Sequence, residues 1–327
     1  MKYVKLGSSG LEVSSIALGC MSYGEPQRGS HGWTLTEDES RPFLRQAVEL
    51  GINFFDTANM YSDGTSEEIV GRALKDLGRR EEQVIATKAY YRTHEGPNGQ
   101  GLSRKALMQE VEKSLSRLGT DYIDLFIIHR FDETTPLEET LESLNDLVRA
   151  GKILYLGASS MAAWQFAKCL RLQRADGWAR FISMQNHYNL LNREEEREMV
   201  PLCVDEGVGV TPWSPLARGR LARPANVQSA RMELDLVGKE LYNHFEESDN
   251  QVIDVVGQIA EARGVTRSQV GLAWLHAQPV VNAPIVGATK PHHLTEAVQS
   301  LDVELTAEEI KLLEAPYVPH HPTGFGY

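Results

Sequence analysis

Short apolar runs recur along the chain, separated by stretches in which apolar residues return every three or four positions. Eight runs stand out, at 16–18, 53–55, 84–87, 123–128, 154–157, 181–185, 207–211 and 283–286. Each has the length of a brief buried strand. Between them the period changes: Leu107, Val111, Leu115 and Leu118 share one helical face, as do Leu137, Leu141, Leu144 and Val148. Ser103 precedes the first stripe as a capping residue. Thr135-Pro136, followed by Glu138 and Glu139, opens the second. Strands alternating with helices imply parallel pairing through helical crossovers. Eight such units in 327 residues suit a closed α/β architecture, a (β/α)8 TIM barrel, better than an open sheet. No interdomain linker interrupts the alternation, so one domain over 1–327 is expected.

The flanks depart from the repeat. Residues 2–13 hold Gly7-Ser8-Ser9-Gly10 between two short apolar pieces and predict a hairpin capping one barrel end. The connection between the seventh and eighth runs is unusually long. It predicts a polar, arginine-rich loop from 214 to about 250, then extra helices at 251–263 and 268–277. Two more helices are expected at 292–298 and 306–315, before a tail at 316–327.

Charge and cysteine content narrow the function classes. A net charge of −12 argues against general affinity for nucleic acid or acidic membranes, whose phosphates attract basic surfaces. No apolar run approaches the roughly 20 residues that span a bilayer, and the start lacks the apolar core of a signal peptide. Cys20, Cys169 and Cys203 form no CxxC pair or disulfide framework, which suits a reducing compartment. A cytoplasmic enzyme is the expectation.

In a (β/α)8 barrel the chemistry collects at the C-terminal ends of the strands. Those ends carry Asp56 and Tyr61 after the second run, Lys88 after the third and His129 after the fourth. Each has a bland reading alone, as a helix cap, a rim residue, a solvated amine or a core histidine. Three adjacent strands make neighbours of all four. Such a set suits proton transfer from Tyr61. A free phenol has a pKa near 10, and a lysine cation beside it would lower that value. A drop of ~3 units corresponds to roughly 4 kcal/mol. Asp56 would keep Lys88 charged, and His129 would orient a carbonyl oxygen. The set contains no reductant, so a hydride would have to come from a bound cofactor.

The stretch Phe55-Asp56-Thr57-Ala58-Asn59-Met60-Tyr61, together with Ser66-Glu67-Glu68, Ala86-Thr87-Lys88, Ile127-Ile128-His129, Gly157-Ala158-Ser159-Ser160 and Trp213-Ser214-Pro215-Leu216, resembles the aldo-keto reductase superfamily. The resemblance runs from about Lys5 to Leu313. Through His129-Arg130, Met161, Tyr188-Asn189-Leu190 and Pro212–Leu221 the chain is most similar to the bacterial YajO-like branch. That resemblance implies a carbonyl reductase using NADPH (NADP+), with Asp56, Tyr61, Lys88 and His129 as its tetrad. It also implies a cofactor site. Gly19, Met21 and Asp56 would border it. Ser159, Ser160 and Gln185 would bond the nicotinamide carboxamide, with Trp213 stacking on the ring. Ser214, Pro215, Leu216, Arg218, Gly219 and Arg220 would fold over the pyrophosphate. Gly287, Thr289, Lys290, His293 and Glu296 would meet the adenosine end, where Lys290 would face a 2′-phosphate, with Arg231 as a possible companion.

The substrate side is less defined. Trp33, Tyr90 and Tyr91 would build an aromatic wall suited to sugars or flat apolar carbonyls as the small-molecule carbonyl substrate, with Tyr23 a further substrate-side residue on the rim loop 23–33, and Phe325 and Tyr327 in the tail would complete the rim. Arg130 either attracts an acidic or phosphorylated substrate or forms a surface salt bridge. No G-x-G-x-x-G, P-loop or H-E-x-x-H motif occurs. The pairs His292-His293 and His320-His321 lack companion ligands, so no metal is expected. Two other functions stay in view. One is a Schiff-base lyase with Lys88 as nucleophile. The other is a regulatory subunit that binds the nicotinamide cofactor with little turnover.

Overall fold

The three-dimensional structure, a computed structural model, describes residues 1–29, 32–227, 238, 241–242 and 246–322. Two strands, β1 (Tyr3–Lys5) and β2 (Glu12–Ser14), pair antiparallel as the expected hairpin, Val4 opposite Val13. Eight parallel strands follow: β3 (Ala17–Gly19), β4 (Phe54–Asp56), β5 (Val84–Ala89), β6 (Ile123–Ile128), β7 (Ile153–Ser159), β8 (Phe181–Gln185), β9 (Gly209–Val210) and β10 (Ile285–Gly287). They are adjacent in sequence order, and β10 pairs with β3. Hydrogen bonds from Val210 N to Val280 O (3.0 Å), Asn282 N to Val210 O (2.9 Å) and Ile285 N to Pro212 O (2.9 Å) link the last two strands and close the ring. The fold is a (β/α)8 barrel.

Helices α1 (Glu37–Glu49), α2 (Thr65–Leu77), α3 (Arg104–Leu118), α4 (Leu137–Arg149), α5 (Ala163–Ala175) and α6 (Met199–Glu206) fill the crossovers. Beyond them lie α7 (Glu246–Arg263), α8 (Arg267–His276), α9 (Pro291–Gln299) and α10 (Ala307–Glu314). Ser103 caps α3 as expected, its hydroxyl accepting from Ala106 N. Helix α7 is longer than its apolar stripe suggested. It begins at Glu246, where Glu246, Glu247 and Asp249 fall in the positive first turn. The seventh strand is shorter, reduced from the expected five residues to the pair Gly209–Val210.

Side-chain parity explains how the barrel aims its residues. A strand's side chains alternate between its two faces. Phe54, Val84, Ala86, Leu125 and Ile127 point inward, where Leu6 and Val13 of the hairpin join them in one cluster. Phe55, Ile85, Phe126 and Ile128 point outward and pack with the helices. Continuing the inward parity reaches Asp56 on β4, Lys88 on β5 and His129 just past β6.

The hairpin plugs the opposite end. Ser8 N donates to Gly207 O at 2.7 Å, just before β9. Gly7 sits there at φ +56°, and a Cβ on it would fall 2.6 Å from Gly209 N and 2.7 Å from Gly207 O. Only glycine fits that approach. One mouth is therefore sealed, leaving the strands' C-terminal mouth for chemistry.

Candidate active site

Lys88 is fully buried, and its ammonium uses all three of its donors. It donates to Asp56 Oδ1 at 2.6 Å, Thr57 O at 2.7 Å and the Tyr61 hydroxyl at 3.4 Å. Asp56 is held on its other side, where Gln185 Nε2 donates to Oδ2 at 2.8 Å. Tyr61 enters from the loop beyond β4, on a short helical turn in which Ser62 and Asp63 adopt φ values of 47° and 50°. The tyrosine ring is partly exposed, while its hydroxyl sits at the desolvated end. His129 closes the set, its ring edge-on to Tyr61 with centroids 5.9 Å apart.

Electrostatics assigns a protonation state to three of these groups. Burial alone would discharge Lys88, but Asp56 and then Tyr61 overcome it and hold the amine above its ordinary value. Burial pulls His129 well below its ordinary value, with help from Lys88 and Arg130, so the imidazole is neutral. Among the described residues its buried Nδ1 has no partner, so Nε2 is the ring nitrogen left to meet a substrate. Tyr61 corrects the expectation of an acidified phenol. Desolvation outweighs the pull of Lys88, and the phenol lies above its ordinary value. The charged amine also disfavours a Schiff base, since a nucleophilic amine must be neutral.

Hydrogen bonds from neighbouring residues fix these positions. Outward-facing Thr87 donates to Glu67 Oε1 at 2.6 Å, and Arg117 binds the other oxygen of this fully buried carboxylate. Asn59 donates to Glu110 Oε2 at 2.7 Å, while Thr93 and Lys113 share Oε1, tying the loops after β4 and β5 to α3.

Comparison with known proteins gives the family. The family profile described as Aldo/keto reductase family matches residues 15–317. The chain belongs to that family. It is 46% identical to versiconal hemiacetal acetate reductase of Aspergillus parasiticus, over 98% of this chain and 99% of that protein. It is 41% identical to the aldo-keto reductase AMT2 of Alternaria alternata and to the aldo-keto reductase dtxS3 of Metarhizium robertsii. Each of these alignments covers 98% of this chain, with 93% and 92% of the relative. These relatives are fungal, so the expected bacterial branch gains no support. Aldo/keto reductases act on small carbonyl compounds and generally use nicotinamide cofactors.

Many of the positions that the resemblance tied to a cofactor fall at, or just past, the C-terminal ends of the strands of this aldo/keto reductase. Gly19, Gln185 and Gly287 end their strands, Met21 lies in the turn after β3, and Ser159 closes β7. Trp213 Nε1 donates to Ser160 Oγ at 3.0 Å, and Ser160 lies 3.2 Å from Ser159 Oγ. Ser160, Ser214 and Arg218 all adopt positive φ, between 46° and 55°. Pro215 and Leu216 lead into a turn at Ala217–Gly219, and Arg220 donates to Tyr242 O at 3.0 Å. Thr289 N donates to His293 Nδ1, and burial lowers that imidazole to about 4. Glu296 accepts from Thr266 ahead of α8, and Lys290 is exposed at the start of α9. Arg231, Phe325 and Tyr327 lie outside the described residues.

On the substrate side, Tyr90 and Tyr91 meet edge-on at 5.3 Å, and Tyr91 meets His129 at 5.0 Å. Trp33 is half-buried in the loop before α1. Tyr23 is not on the substrate-facing rim. It is fully buried, stacks on Phe43 at 6.2 Å and donates to Ala288 O at 3.0 Å. The loop it opens folds back on α1, which seals the ring in the core.

Sequence reasoning missed the support beneath Trp213. His187 stacks on it at 4.3 Å and 10°, and His187 Nε2 lies 2.6 Å from the Tyr242 hydroxyl. Asn189 Nδ2 donates to that hydroxyl and to Ser214 O. The available signal was register. Pairing of Ser183 with Gly209 and Met184 with Val210 continues to His187 with Trp213, placing the two rings side by side.

Among the described residues no group of three or more His, Cys, Asp or Glu could hold a metal ion. All three cysteines are free and buried. No described helix is long and apolar enough to cross a membrane.

Proposed function

We propose that this protein is an NADPH-dependent reductase of aldehydes or ketones, with Tyr61 as the proton donor. The observation that carries the reading is the buried Lys88 ammonium, held between Asp56 and the Tyr61 hydroxyl beside a neutral His129. When bound, the cofactor supplies a hydride to the carbonyl carbon. The carbonyl oxygen becomes an alkoxide-like centre and takes the phenolic proton. His129 orients that oxygen through Nε2. Lys88, cationic throughout, stabilises the phenolate as it forms.

The cofactor side fits a dinucleotide on this chain's own groups. Trp213 has one face covered by His187 and is partly exposed, as a platform for a planar ring requires. Ser159, Ser160 and Gln185 supply polar groups beside it. Lys290 forms no ion pair among the described residues and stands exposed at a helix start, in reach of a phosphate. His293, being neutral, adds no charge there. The versiconal hemiacetal acetate reductase name of one relative supports reductive carbonyl chemistry.

The test is Tyr61→Phe. Loss of NADPH absorbance with an aldehyde panel should fall by several orders of magnitude, while cofactor affinity, read by fluorescence titration, stays near wild type. A variant that retains most of its rate would remove Tyr61 from the role. Cofactor binding with no turnover of any carbonyl by the wild type would favour the regulatory alternative.

A further inference from the structure

Arg130 follows His129 directly and is half-buried, and among the described residues it pairs with no carboxylate. Its Nη1 donates to the His129 carbonyl at 2.7 Å, and its guanidinium lies 5.4 Å from the Tyr91 ring centroid. The nearest acid in sequence is already engaged. Asp132 Oδ1 accepts from Thr134 N and Oγ1, and Oδ2 accepts from Leu102 N and Thr135 Oγ1. Among the described residues, the salt bridge that would have made Arg130 an ordinary surface residue is therefore missing. A partly desolvated guanidinium with an open donor edge, anchored by its own neighbour, is unusual unless an anion completes it. Its position is informative too. Its charge acts on Tyr61, His129 and Tyr91 together, so it borders the reacting oxygen's surroundings.

We propose that Arg130 and the face of Tyr91 form a subsite for a carboxylate carried on the carbonyl substrate. The physiological substrate class is then an aldehyde or ketone with an acidic group, held bidentately by the Nε and Nη2 edge while the aromatic wall covers its apolar body. This inference rests on the reductase reading, because the anion is recognised as part of a molecule being reduced. The hydride and proton balance is unchanged, and the carboxylate takes no part in it.

The experiment compares carboxybenzaldehydes (ortho, meta and para) with their methyl esters under saturating NADPH, in wild type, Arg130→Gln and Arg130→Lys. In the wild type at least one acid should exceed its ester by roughly 10- to 100-fold in kcat/KM, the range of a charge-assisted bidentate contact. The excess should appear in KM more than in kcat. Arg130→Gln should bring the ratio to about one, and Arg130→Lys should restore part of it. Independently of any variant, benzoate should inhibit the wild type competitively against the aldehyde, and benzamide should not. No acid preference in the wild type, a preference that survives Arg130→Gln, or a parallel loss for acid and ester at constant ratio would each overturn the subsite while leaving the reductase reading intact. Failure to reduce any of these aldehydes or esters would instead overturn the reductase reading, and the subsite with it.

Discussion

Replacing Asp56 by Asn would strip Lys88 of its counter-ion without changing the local shape. The two charges stand 2.6 Å apart, with side-chain exposures of 0% and 4%. At an effective dielectric of about 20 they attract by about 6 kcal/mol. That gain is offset by several kcal/mol of desolvation for each ion, so the pair contributes little net stability. Removing one partner is different, because the remaining cation keeps its desolvation cost. The expected loss is about 3–5 kcal/mol. It has a ceiling, since discharging a lysine from its ordinary pKa of about 10.4 at pH 7 costs about 5 kcal/mol. The sign with pH follows. In the wild type Lys88 is raised, so its contribution is present below about pH 10 and lost only as pH climbs through the folded value. In Asp56→Asn burial acts unopposed and depresses Lys88, so the penalty is largest at neutral pH and shrinks by about 1.4 kcal/mol per unit toward pH 10. Urea unfolding of the wild type, Asp56→Asn, Lys88→Met and the double variant at two pH values measures this. The double variant should recover at least about 2 kcal/mol relative to the sum of the singles. Additive losses, or a penalty that does not change with pH, would refute the buried ion pair as described.

Two further outcomes are expected. Lys290→Ala should weaken NADPH at least tenfold more than NADH in titrations, since a charge-assisted phosphate contact contributes roughly 1.5–3 kcal/mol; equal losses would remove Lys290 from the 2′-phosphate. The pH profiles of the two reaction directions should diverge, because a phenol raised above its ordinary value stays protonated past neutrality. Reduction should hold level from pH 6.5 to about 9, while alcohol oxidation, which needs the phenolate, should rise about tenfold per unit; a reduction limb falling near pH 7–8 would contradict the raised Tyr61.

Much of the barrel was legible because each strand is a short apolar run and each crossover a helical stripe. Asp56, Lys88 and His129 could be placed beside one another for the same reason, since they stand at the ends of consecutive strands and share inward parity. The long connection was less readable, because nothing periodic distinguishes the start of α7 from a polar loop. Tyr23 misled because an aromatic residue just past a strand end looks like a rim residue, whereas its loop turns back onto α1. Arg130 stayed ambiguous for a different cause. Whether an arginine is paired depends on where Asp132 spends its oxygens, and that is set by loop hydrogen bonds to Thr134, Thr135 and Leu102.

The Tyr61 result changes what Lys88 has to do. If the amine served to ionise the phenol beforehand, the resting group would be phenolate and could donate nothing to a carbonyl oxygen. The structure instead leaves the phenol neutral, because burial penalises phenolate more than a cation 3.4 Å away favours it. The resting state is then the correct one for a donor. Charge on the phenol oxygen grows only while the proton leaves, and at that moment the ammonium is already in place and needs no reorganisation. Asp56 contributes by keeping the amine charged through a site that would otherwise discharge it, and Gln185 holds Asp56 from the other side. The same arrangement accounts for a neutral His129. Burial disfavours an imidazolium there, and beside Lys88 and Arg130 it would add a further positive charge while Asp56 is already committed to Lys88, whereas a neutral ring retains a nitrogen to direct the substrate oxygen.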